Sequence, residues 1–500
     1  MSAIVFVLDG ETVRADAVDP NTTLLHWLRA NRKTGTKEGC AEGECGACAV
    51  AWRANGPDGR ARWEVVNSCL VLLPSVHGRE LVTSEGLADE HGALHPVQRC
   101  MAEGGGSQCG YCTPGFVVSL FGEMYRAEDG PFDPECIAGN LCRCTGYRPI
   151  REASEKLAQL RTRERGAPDR FRAQLAEPVV ALPAVDLTTI PITGGAPRSF
   201  ARPSSLHDAV ALLGREPHRT IVNGGTDVTV EVNQRHKRHD AYLSLEGVPE
   251  LSVFEERDDM LVLGAGVSLA AIEERLHTHA HGPTALGRAL PMLTELLPLF
   301  SSRLIRTRAT LGGNLGTASP IGDGAPALLA LDAEVVLASH DAHADAINRR
   351  IVPLAGYFLG YRKTARAPYE LLEAIRIPRP FYATQRFYKV SKRKLDDISS
   401  VAGAFALDRD EDGRVTRARL AFGGVAATPI RLTEIEARLL DRHLTPREIE
   451  DLARLASESV TPIDDHRASA RYRRAMVASL LRKLAHDEGP PSAVGTEVSP

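Results

Sequence analysis

Three cysteines lie within nine residues of one another in the segment KEGCAEGECGACAV, residues 37–50. Cys40, Cys45 and Cys48 have the spacing C-x4-C-x2-C, and Cys69 follows after twenty further residues. This is the plant-type spacing of the ligands of a [2Fe–2S] cluster, and the glycines in the segment let the backbone wrap a cluster closely. A structural zinc site is the alternative. Zinc sites usually pair two C-x2-C knuckles, and only one is present here, so the spacing favours iron–sulfur.

A second group of cysteines combines a C-x2-C pair with a C-x-C pair thirty residues later. Its members are Cys109, Cys112, Cys142 and Cys144. Two ligands at i and i+2 of a regular helix do not face one point, so Cys142 and Cys144 are predicted to lie in a turn. Spacing alone predicts a four-thiolate site here and leaves zinc and iron–sulfur open. Cys100 and Cys136 have no partner at a ligand spacing and are predicted to be buried as small apolar residues.

Two glycine-rich turns, IVNGGTDV (221–228) and TLGGNLGTASPIGD (310–323), are candidates for binding an anion. Each is predicted to follow a strand and to expose consecutive N–H groups, a nest that suits a pyrophosphate. Thr226, Asn314 and Ser319 would add hydrogen bonds. Neither turn is a G-x-G-x-x-G fingerprint, and GAGVSL at 264–269 lacks the third glycine, so a Rossmann site is poorly supported. Two ordinary tight turns are the alternative interpretation.

The elements around these motifs predict several domains. Strands are predicted in 4–18, 49–54 and 62–74, with a hairpin turn at Asp9-Gly10 and a helix in 22–31, which makes 1–84 a small α+β unit. Helical periodicity fills most of 94–160, including 133–144, with Pro96 and Pro114 in first helical turns, so 85–162 is predicted to be all-helical. The remaining predicted parts are a linker at 163–196, an α+β domain at 197–380, a C-terminal α+β domain at 381–486 and a disordered tail at 487–500.

Composition and charge exclude several function classes. A chain of 500 residues with 43% hydrophobic and 25% charged residues is ordinary for globular domains. The net charge of −4 gives no reason to expect a nucleic-acid or anionic-membrane partner. No apolar run approaches a membrane span, and the start MSAIVFVLDGETV has no basic n-region, so a cytoplasmic location is expected. His277 and His281 lie four residues apart, but no third ligand is apparent, so no metal site is predicted there.

The segments SQCGYCTPGFV and NLCRCTGYRPI, behind KEGCAEGECGACAV, resemble the iron–sulfur part of the molybdenum hydroxylases. The resemblance extends to about residue 485 and is nearest to the small subunit of the xanthine dehydrogenase branch. It implies a multidomain α+β fold: a ferredoxin-like β-grasp domain, an all-helical [2Fe–2S] domain, a non-Rossmann FAD domain and a C-terminal α+β domain. It assigns one cluster to Cys40, Cys45, Cys48 and Cys69 and the other to Cys109, Cys112, Cys142 and Cys144. Gln108 would approach the pterin of a partner's molybdenum cofactor.

The same resemblance implies the residues that contact FAD. The diphosphate loops match Ile221, Val222, Asn223, Gly224, Gly225, Thr226, Asp227 and Val228, and Thr310, Leu311, Gly312, Gly313 and Asn314. Asp323 matches an acidic FAD contact, Phe300 an aromatic residue beside the isoalloxazine, and Leu372 and Lys389 further contacts. Asp396 and Asp397 match paired acidic residues near the flavin.

The function implied is that of an electron-transfer subunit. Electrons from molybdenum on a large partner subunit would pass through the two clusters to FAD and then to NAD⁺, with xanthine, water and NAD⁺ giving urate and NADH. The expected assembly is a dimer of heterodimers, and no residue of this chain is expected to act on the purine. The alternatives are a molybdenum hydroxylase acting on an aldehyde or N-heterocycle, a self-sufficient iron–sulfur flavoprotein reductase, and a zinc-stabilised interaction protein.

Overall fold

The N-terminal domain is built on a five-stranded sheet. The computed structural model describes residues 3–126, 131–163, 169–189, 196–278 and 281–488. The first elements are β1 (Ala3–Leu8), β2 (Glu11–Asp16), α1 (Leu24–Ala30), β3 (Ala49–Asn55), β4 (Ala61–Asn67) and β5 (Glu80–Val82). The strand order is β2-β1-β5-β3-β4. β1 and β5 run parallel and the other pairs antiparallel, as in a β-grasp sheet.

Local sequence explains these elements. Asp9 and Gly10 both have positive φ, 53° and 88°, which a two-residue hairpin turn requires. The Thr23 side chain caps α1 by accepting from the His26 N–H. The strand predicted in 62–74 ends at Asn67, and Cys69 lies in a single 3-10 turn. The turn forms because the Ser68 N–H and hydroxyl both donate to the Cys48 carbonyl, at 3.2 and 2.7 Å.

The second domain is helical, as predicted. It contains α2 (Pro96–Glu103), α3 (Thr113–Met124) and α4 (Arg148–Arg163), with Pro96 and Pro114 in first turns. Cys100 and Cys136 are buried, which confirms the expectation for both. The helix predicted over 133–144 is wrong, because only Pro134–Ile137 forms a 3-10 turn. The chain then leaves helical geometry, and its backbone and side chains bond to the first domain instead.

The predicted linker, 163–196, is more ordered than expected. Its described residues form α5 (Arg170–Ala176) and β6 (Val185–Thr189). Phe171 is buried in the core of the helical domain, and Val185 in the core that joins the first domain to the following sheet. β6 pairs with β7 (Arg198–Arg202). These two stretches are therefore not a plain linker, because their apolar side chains are buried in the neighbouring cores.

The region from residue 198 contains two main sheets. The first has the order β6-β7-β9-β8, with α6 (Leu206–Arg215), β8 (Thr220–Val222), α7 (Val228–Gln234) and β9 (Ala241–Ser244). The second has the order β10-β11-β18-β14-β15, with β10 (Phe254–Glu256), β11 (Met260–Gly264), β14 (Glu334–Asp341), β15 (Ala346–Pro353) and β18 (Leu371–Pro378). Its helices are α8 (Leu269–Leu276), α9 (Ala285–Ala289), α10 (Pro291–Leu299), α11 (Arg303–Arg306), α12 (Leu311–Thr317) and α13 (Gly324–Ala330). Short strand pairs are β12 (His277–Thr278) with β13 (Gly282–Pro283), and β16 (Phe358–Gly360) with β17 (Lys363–Thr364).

The last domain packs three helices on a four-stranded sheet. It consists of β19 (Thr384–Val390), β20 (Val401–Arg409), β21 (Val415–Gly423), β22 (Ile430–Arg431), α14 (Thr433–Leu439), α15 (Pro446–Glu458) and α16 (Ala470–Glu488). These elements confirm the alternation predicted from the sequence. α16 reaches Glu488, two residues into the predicted tail, and 489–500 lie outside the described residues. None of the helices in the described part of the chain is long and apolar enough to cross a membrane.

Candidate functional site

The structure brings Cys40, Cys45, Cys48 and Cys69 together. The Cys40 N–H donates to the Cys45 Sγ at 3.3 Å, and the Glu42 N–H donates to the Cys40 Sγ at 3.5 Å. Backbone amides thus already point at sulfur in this loop. A hydrogen bond between the thiols lowers the pKa of Cys40 and raises that of Cys45. The pKa of Cys69 is raised, mainly by its hydrogen bond with Cys48 and secondly by burial.

The glycines of the first cysteine loop have no room for a side chain. A Cβ atom on Gly39 would lie 2.7 Å from the Cys45 Sγ. Gly46 has φ of +62°, and its Cβ would lie 2.4 Å from the Gly139 carbonyl oxygen of the helical domain. Four converging thiols on a backbone that only glycine permits fit the ligand set of a [2Fe–2S] cluster.

The second group of cysteines also converges. The Cys109 and Cys144 sulfurs lie 3.4 Å apart, and the Cys112 and Cys142 thiols hydrogen-bond to each other. Cys112 is the N-cap residue of α3. Cys142 lies in a non-helical turn, where its sulfur accepts from the Thr145 N–H at 3.5 Å. These four thiols also form a four-thiolate set of the kind that holds a cluster.

The two cysteine sites differ in exposure. Cys109 and Cys144 are exposed, as is the neighbouring Gln108, whereas Cys45, Cys48 and Cys69 are buried. Cys40 and Cys112 are half-buried and Cys142 is buried, so the second site is the more exposed of the two rather than wholly at the surface.

The two cysteine loops are hydrogen-bonded to each other. The Leu141 N–H, next to Cys142, donates to the Cys45 carbonyl at 3.0 Å. The Asn140 side chain donates to the Gly46 carbonyl at 3.2 Å. A Cβ on Gly115 would lie 2.2 Å from that same carbonyl oxygen, so α3 packs directly on the loop. Spacing in the sequence gave no sign of Asn140 or Gly115.

The two predicted flavin loops lie against each other. The first follows β8, as predicted. The second follows α11 rather than a strand, so that prediction is wrong, and Thr310 caps α12 by accepting from the Gly313 N–H at 2.9 Å. Arg308 joins the loops by donating to the carbonyls of Asn223 and Gly224 at 3.3 and 3.2 Å. The end of the second loop bonds back to the first, since the Thr317 hydroxyl donates to Asp227 at 3.3 Å.

One buried polar atom of the second loop has no hydrogen-bond partner. Among the described residues, the Oδ1 atom of Asn314 is buried without a hydrogen bond, and a Cβ on Gly324 would lie 2.7 Å from it. An unsatisfied buried acceptor beside a glycine nest fits a site completed by a polar ligand. The second loop therefore fits contact with a polar ligand that donates a hydrogen bond to this oxygen.

The remaining predicted flavin contacts lie around the same helices. Asp323 is buried, and it accepts from Lys389 Nζ at 2.9 Å and from the Ser399 hydroxyl. Leu372 is buried in β18, and Phe300 is half-buried where α10 ends. The Ser301 hydroxyl donates to Asp396 at 3.1 Å, which places Asp396 beside Phe300. Burial raises the pKa of Asp396.

Helix α7 connects the first flavin loop to the first cysteine loop. The Asn233 side chain donates to the carbonyls of Cys69 and Ala41 at 2.8 and 2.9 Å. The Gln234 side chain donates to the Cys40 carbonyl at 2.7 Å, and the Thr229 hydroxyl donates to the Leu70 carbonyl at 3.2 Å. These contacts were not predicted, because no residue type or spacing in α7 is specific to them.

Four family profiles match consecutive parts of the chain. They are a 2Fe-2S iron-sulfur cluster binding domain (6–73), a [2Fe-2S] binding domain (83–155), the FAD binding domain in molybdopterin dehydrogenase (196–380) and the CO dehydrogenase flavoprotein C-terminal domain (386–487). The chain belongs to the molybdenum hydroxylase family. It carries the electron-transfer domains of that family, two for [2Fe–2S] clusters and one for FAD, and the predicted fold class is confirmed.

Curated relatives in this family are much longer than the chain. Xanthine dehydrogenase of Emericella nidulans is 30% identical over 530 residues, and that of Drosophila pseudoobscura pseudoobscura 32% over 527. Aldehyde oxidase 1 of Cavia porcellus is 29% identical over 525 residues. Each alignment covers 96% of this chain but only 38 or 39% of the relative. The chain therefore spans less than two fifths of the length of these relatives.

Solved structures of the family match the chain over a shorter stretch. A chain of carbon monoxide dehydrogenase from Hydrogenophaga pseudoflava is 26% identical, with a TM-score of 0.52. The alignment covers 58% of this chain and 96% of that one. A chain of reconstituted CO dehydrogenase from Oligotropha carboxidovorans is 27% identical, with a TM-score of 0.51 and the same coverage of this chain.

Proposed function

We propose that this chain is the electron-transfer subunit of a xanthine dehydrogenase, working with a partner subunit that carries the molybdenum cofactor. Electrons would enter at the more exposed cysteine site, pass through the other one to FAD and leave to NAD⁺. When bound, the clusters carry single electrons, and the flavin exchanges either single electrons or a hydride. Xanthine, water and NAD⁺ would yield urate, NADH and a proton.

The observation that carries this proposal is the order of the three sites in the fold. The second cysteine group adjoins the first through the Leu141–Cys45 hydrogen bond, and α7 joins the first cysteine group to the first flavin loop. The exposed end, with Gln108, is where a partner's cofactor would approach. The proposed cluster ligands are the two groups of four cysteines described above.

The proposed roles of the chain's residues follow from the same geometry. The loops 221–228 and 310–314 would hold the FAD pyrophosphate with their N–H groups, and the Asn314 side chain would donate from Nδ2 to a phosphate oxygen or accept at Oδ1 from a hydroxyl group of FAD. The buried Lys389–Asp323 pair would fix the floor of the site near Phe300. No side chain of this chain is assigned to the hydroxylation of the substrate.

The relatives support the xanthine branch over others. Xanthine dehydrogenases from a fungus and from flies are 30 to 32% identical to this chain and align with 96% of it. Aldehyde oxidase 1 aligns over the same share at 29% identity, so an aldehyde or an N-heterocycle as the partner's substrate is the second candidate.

The test is to purify the chain with its natural partner and to measure molybdenum, iron, FAD and NADH formation on the same sample. We expect xanthine-dependent urate and NADH formation that requires molybdenum. A Cys142→Ser variant should retain FAD and reduce an artificial dye with NADH, yet lose xanthine turnover. Turnover of aldehydes but not xanthine would move the assignment to the aldehyde branch. Full activity of the isolated chain without molybdenum would overturn the proposal in favour of a self-sufficient reductase.

A further inference from the structure

Two histidines and an aspartate that are distant in sequence meet on the surface of the flavin region. His207 lies in the first turn of α6, His340 near the end of β14, and Asp345 in the hairpin between β14 and β15. One ligand atom from each lies within 4.8 Å of the other two. This is the one group of three or more such side chains, among the residues that the structure describes, with that proximity.

We propose that His207, His340 and Asp345 form a zinc site. The Nε2 atoms of His207 and His340 lie 3.2 and 3.0 Å from the same oxygen of Asp345. In a tetrahedral zinc site with bonds of ~2.0–2.1 Å, neighbouring ligand atoms lie about 3.3 Å apart. Two imidazoles and one carboxylate are a common zinc ligand set with three protein ligands, and water fills the fourth position.

The surrounding structure holds the three side chains in this arrangement. The Asp341 carboxylate accepts from the His343 and Ala344 N–H groups at 2.9 and 3.2 Å, which fixes the hairpin turn. Asp345 has φ of 49°, a left-handed conformation that turns the chain back toward His340. The His340 side chain is 14% exposed, so its ring is held against the sheet rather than free in solvent. The rings of His207 and His340 stand at 85° to each other, with centroids 5.3 Å apart.

The site would cross-link α6 and the β14–β15 hairpin. α6 packs against β14 through the apolar core formed by residues such as Val210, Leu213 and Ala338. A bound zinc ion would connect the start of α6 to the β14–β15 hairpin, at the hairpin end of the second sheet. The site lies on elements other than the flavin loops and cysteine loops, so this inference does not depend on the proposed function.

Zinc binding is measured on the full chain loaded with its clusters and FAD, by equilibrium dialysis at about pH 7.5 against a competing chelator. Iron is determined on the same samples, so that zinc entering a cysteine site registers as lost iron. We expect one zinc per chain with unchanged iron, and at least tenfold weaker binding in His207→Ala, His340→Ala and Asp345→Asn. His343→Ala is the matched control, because this histidine lies in the same hairpin outside the cluster, and it should bind zinc like the unaltered chain.

Asp345→Asn guards against a folding artefact, since Asp345 is an exposed loop residue whose side chain is 80% solvent-accessible. Its flavin and iron contents should equal those of the unaltered chain. The proposal is overturned if the unaltered chain binds no more zinc than a His207→Ala/His340→Ala double variant. It is also overturned if Asp345→Asn and His343→Ala bind zinc equally well.

Discussion

At the scale of single residues, a cysteine that is a proposed cluster ligand and a buried cysteine outside both groups of four should respond differently to substitution by serine. Cys69→Ser removes a proposed ligand of the buried cluster, and serine is a poor ligand for iron. We expect iron to fall from about four to about two atoms per chain, with one of two paramagnetic signals lost on reduction. The measurement is iron analysis together with electron paramagnetic resonance.

Cys136→Ser is the matched control for that experiment. Cys136 is as buried as Cys69, but it has no place in either group of four, and burial raises its pKa well above the ordinary value, so it stays a neutral thiol. This variant should keep about four iron atoms per chain, at a modest cost in stability. Equal iron loss in both variants would contradict the assignment of Cys69.

Spacing predicts residues that act through local chemistry and misses those that act through distant contacts. The first cysteine group could be assigned to a [2Fe–2S] cluster from its specific C-x4-C-x2-C spacing, whereas spacing predicted only a four-thiolate site, with zinc or iron–sulfur open, for the second. Asn233 carries no such signal, since its bond to the Cys69 carbonyl joins residues 164 positions apart. The same is true of His207 and His340, which only the packing of α6 on β14 brings together.

At the scale of elements, the first flavin loop depends on the absence of a side chain at Gly224. A Cβ there would lie 1.9 Å from the Arg308 carbonyl oxygen, so Gly224→Ala forces the loops apart. Overpacking of this kind costs ~1–3 kcal/mol, and we expect FAD to bind about tenfold more weakly or worse. FAD content after dialysis and fluorescence titration of the FAD-free chain measure the effect.

Gly356→Ala provides the comparison at this scale. A Cβ on Gly356 would lie within 4 Å of no atom, so Gly356→Ala adds a methyl group without disturbing its neighbours. Its FAD affinity should match that of the unaltered chain. If Gly224→Ala retains the same affinity, the two loops do not need this close approach.

Elements with regular periodicity were predicted well, and those shaped by contacts between domains were not. The helices from 433 to 488 follow their apolar pattern closely. Residues 133–144 have helical periodicity but form only one 3-10 turn, because Asn140 and Leu141 bond to the first cysteine loop instead. β6 was not predicted, because it is stabilised by pairing with β7, and β7 lies beyond residue 196, where the predicted linker ends.

At the scale of the whole molecule, a buried charge cluster joins the first domain to the flavin loops. Glu246 is buried and paired with Arg79 of the first domain at 2.6 Å and with Arg308 beside the flavin loops. Arg79 and Arg308 both stack on Trp52, with centroid distances of 4.1 and 4.9 Å. Burial lowers the pKa of Arg79, but a guanidinium starts high enough to remain charged at neutral pH. This cluster therefore ties the domain that contains the first cysteine group to the two predicted flavin loops.

Glu246→Gln should therefore loosen the molecule at the joint between cluster and flavin. Burial opposes ionisation of Glu246, but the charges of Arg308 and Arg79 outweigh it and lower its pKa from 4.5 to about 2. A carboxylate with a depressed folded-state pKa contributes stability that is present above the unfolded value of 4.5 and is lost as the pH falls toward 2. The contribution is on the order of 3 kcal/mol at neutral pH.

The destabilisation caused by Glu246→Gln should therefore be smaller at acidic pH than at neutral pH. We expect Glu246→Gln to lower the temperature of flavin release by several degrees at pH 7, and by less at pH 4, where the unaltered chain has begun to lose the same contribution. Glu450→Gln is the control, because the exposed pair of Glu450 with Arg482 has the same chemistry without burial and should leave the temperature unchanged. An equal decrease in the flavin-release temperature at both pH values would mean that Glu246 acts through its shape rather than its charge. Only the contribution of the charge depends on pH.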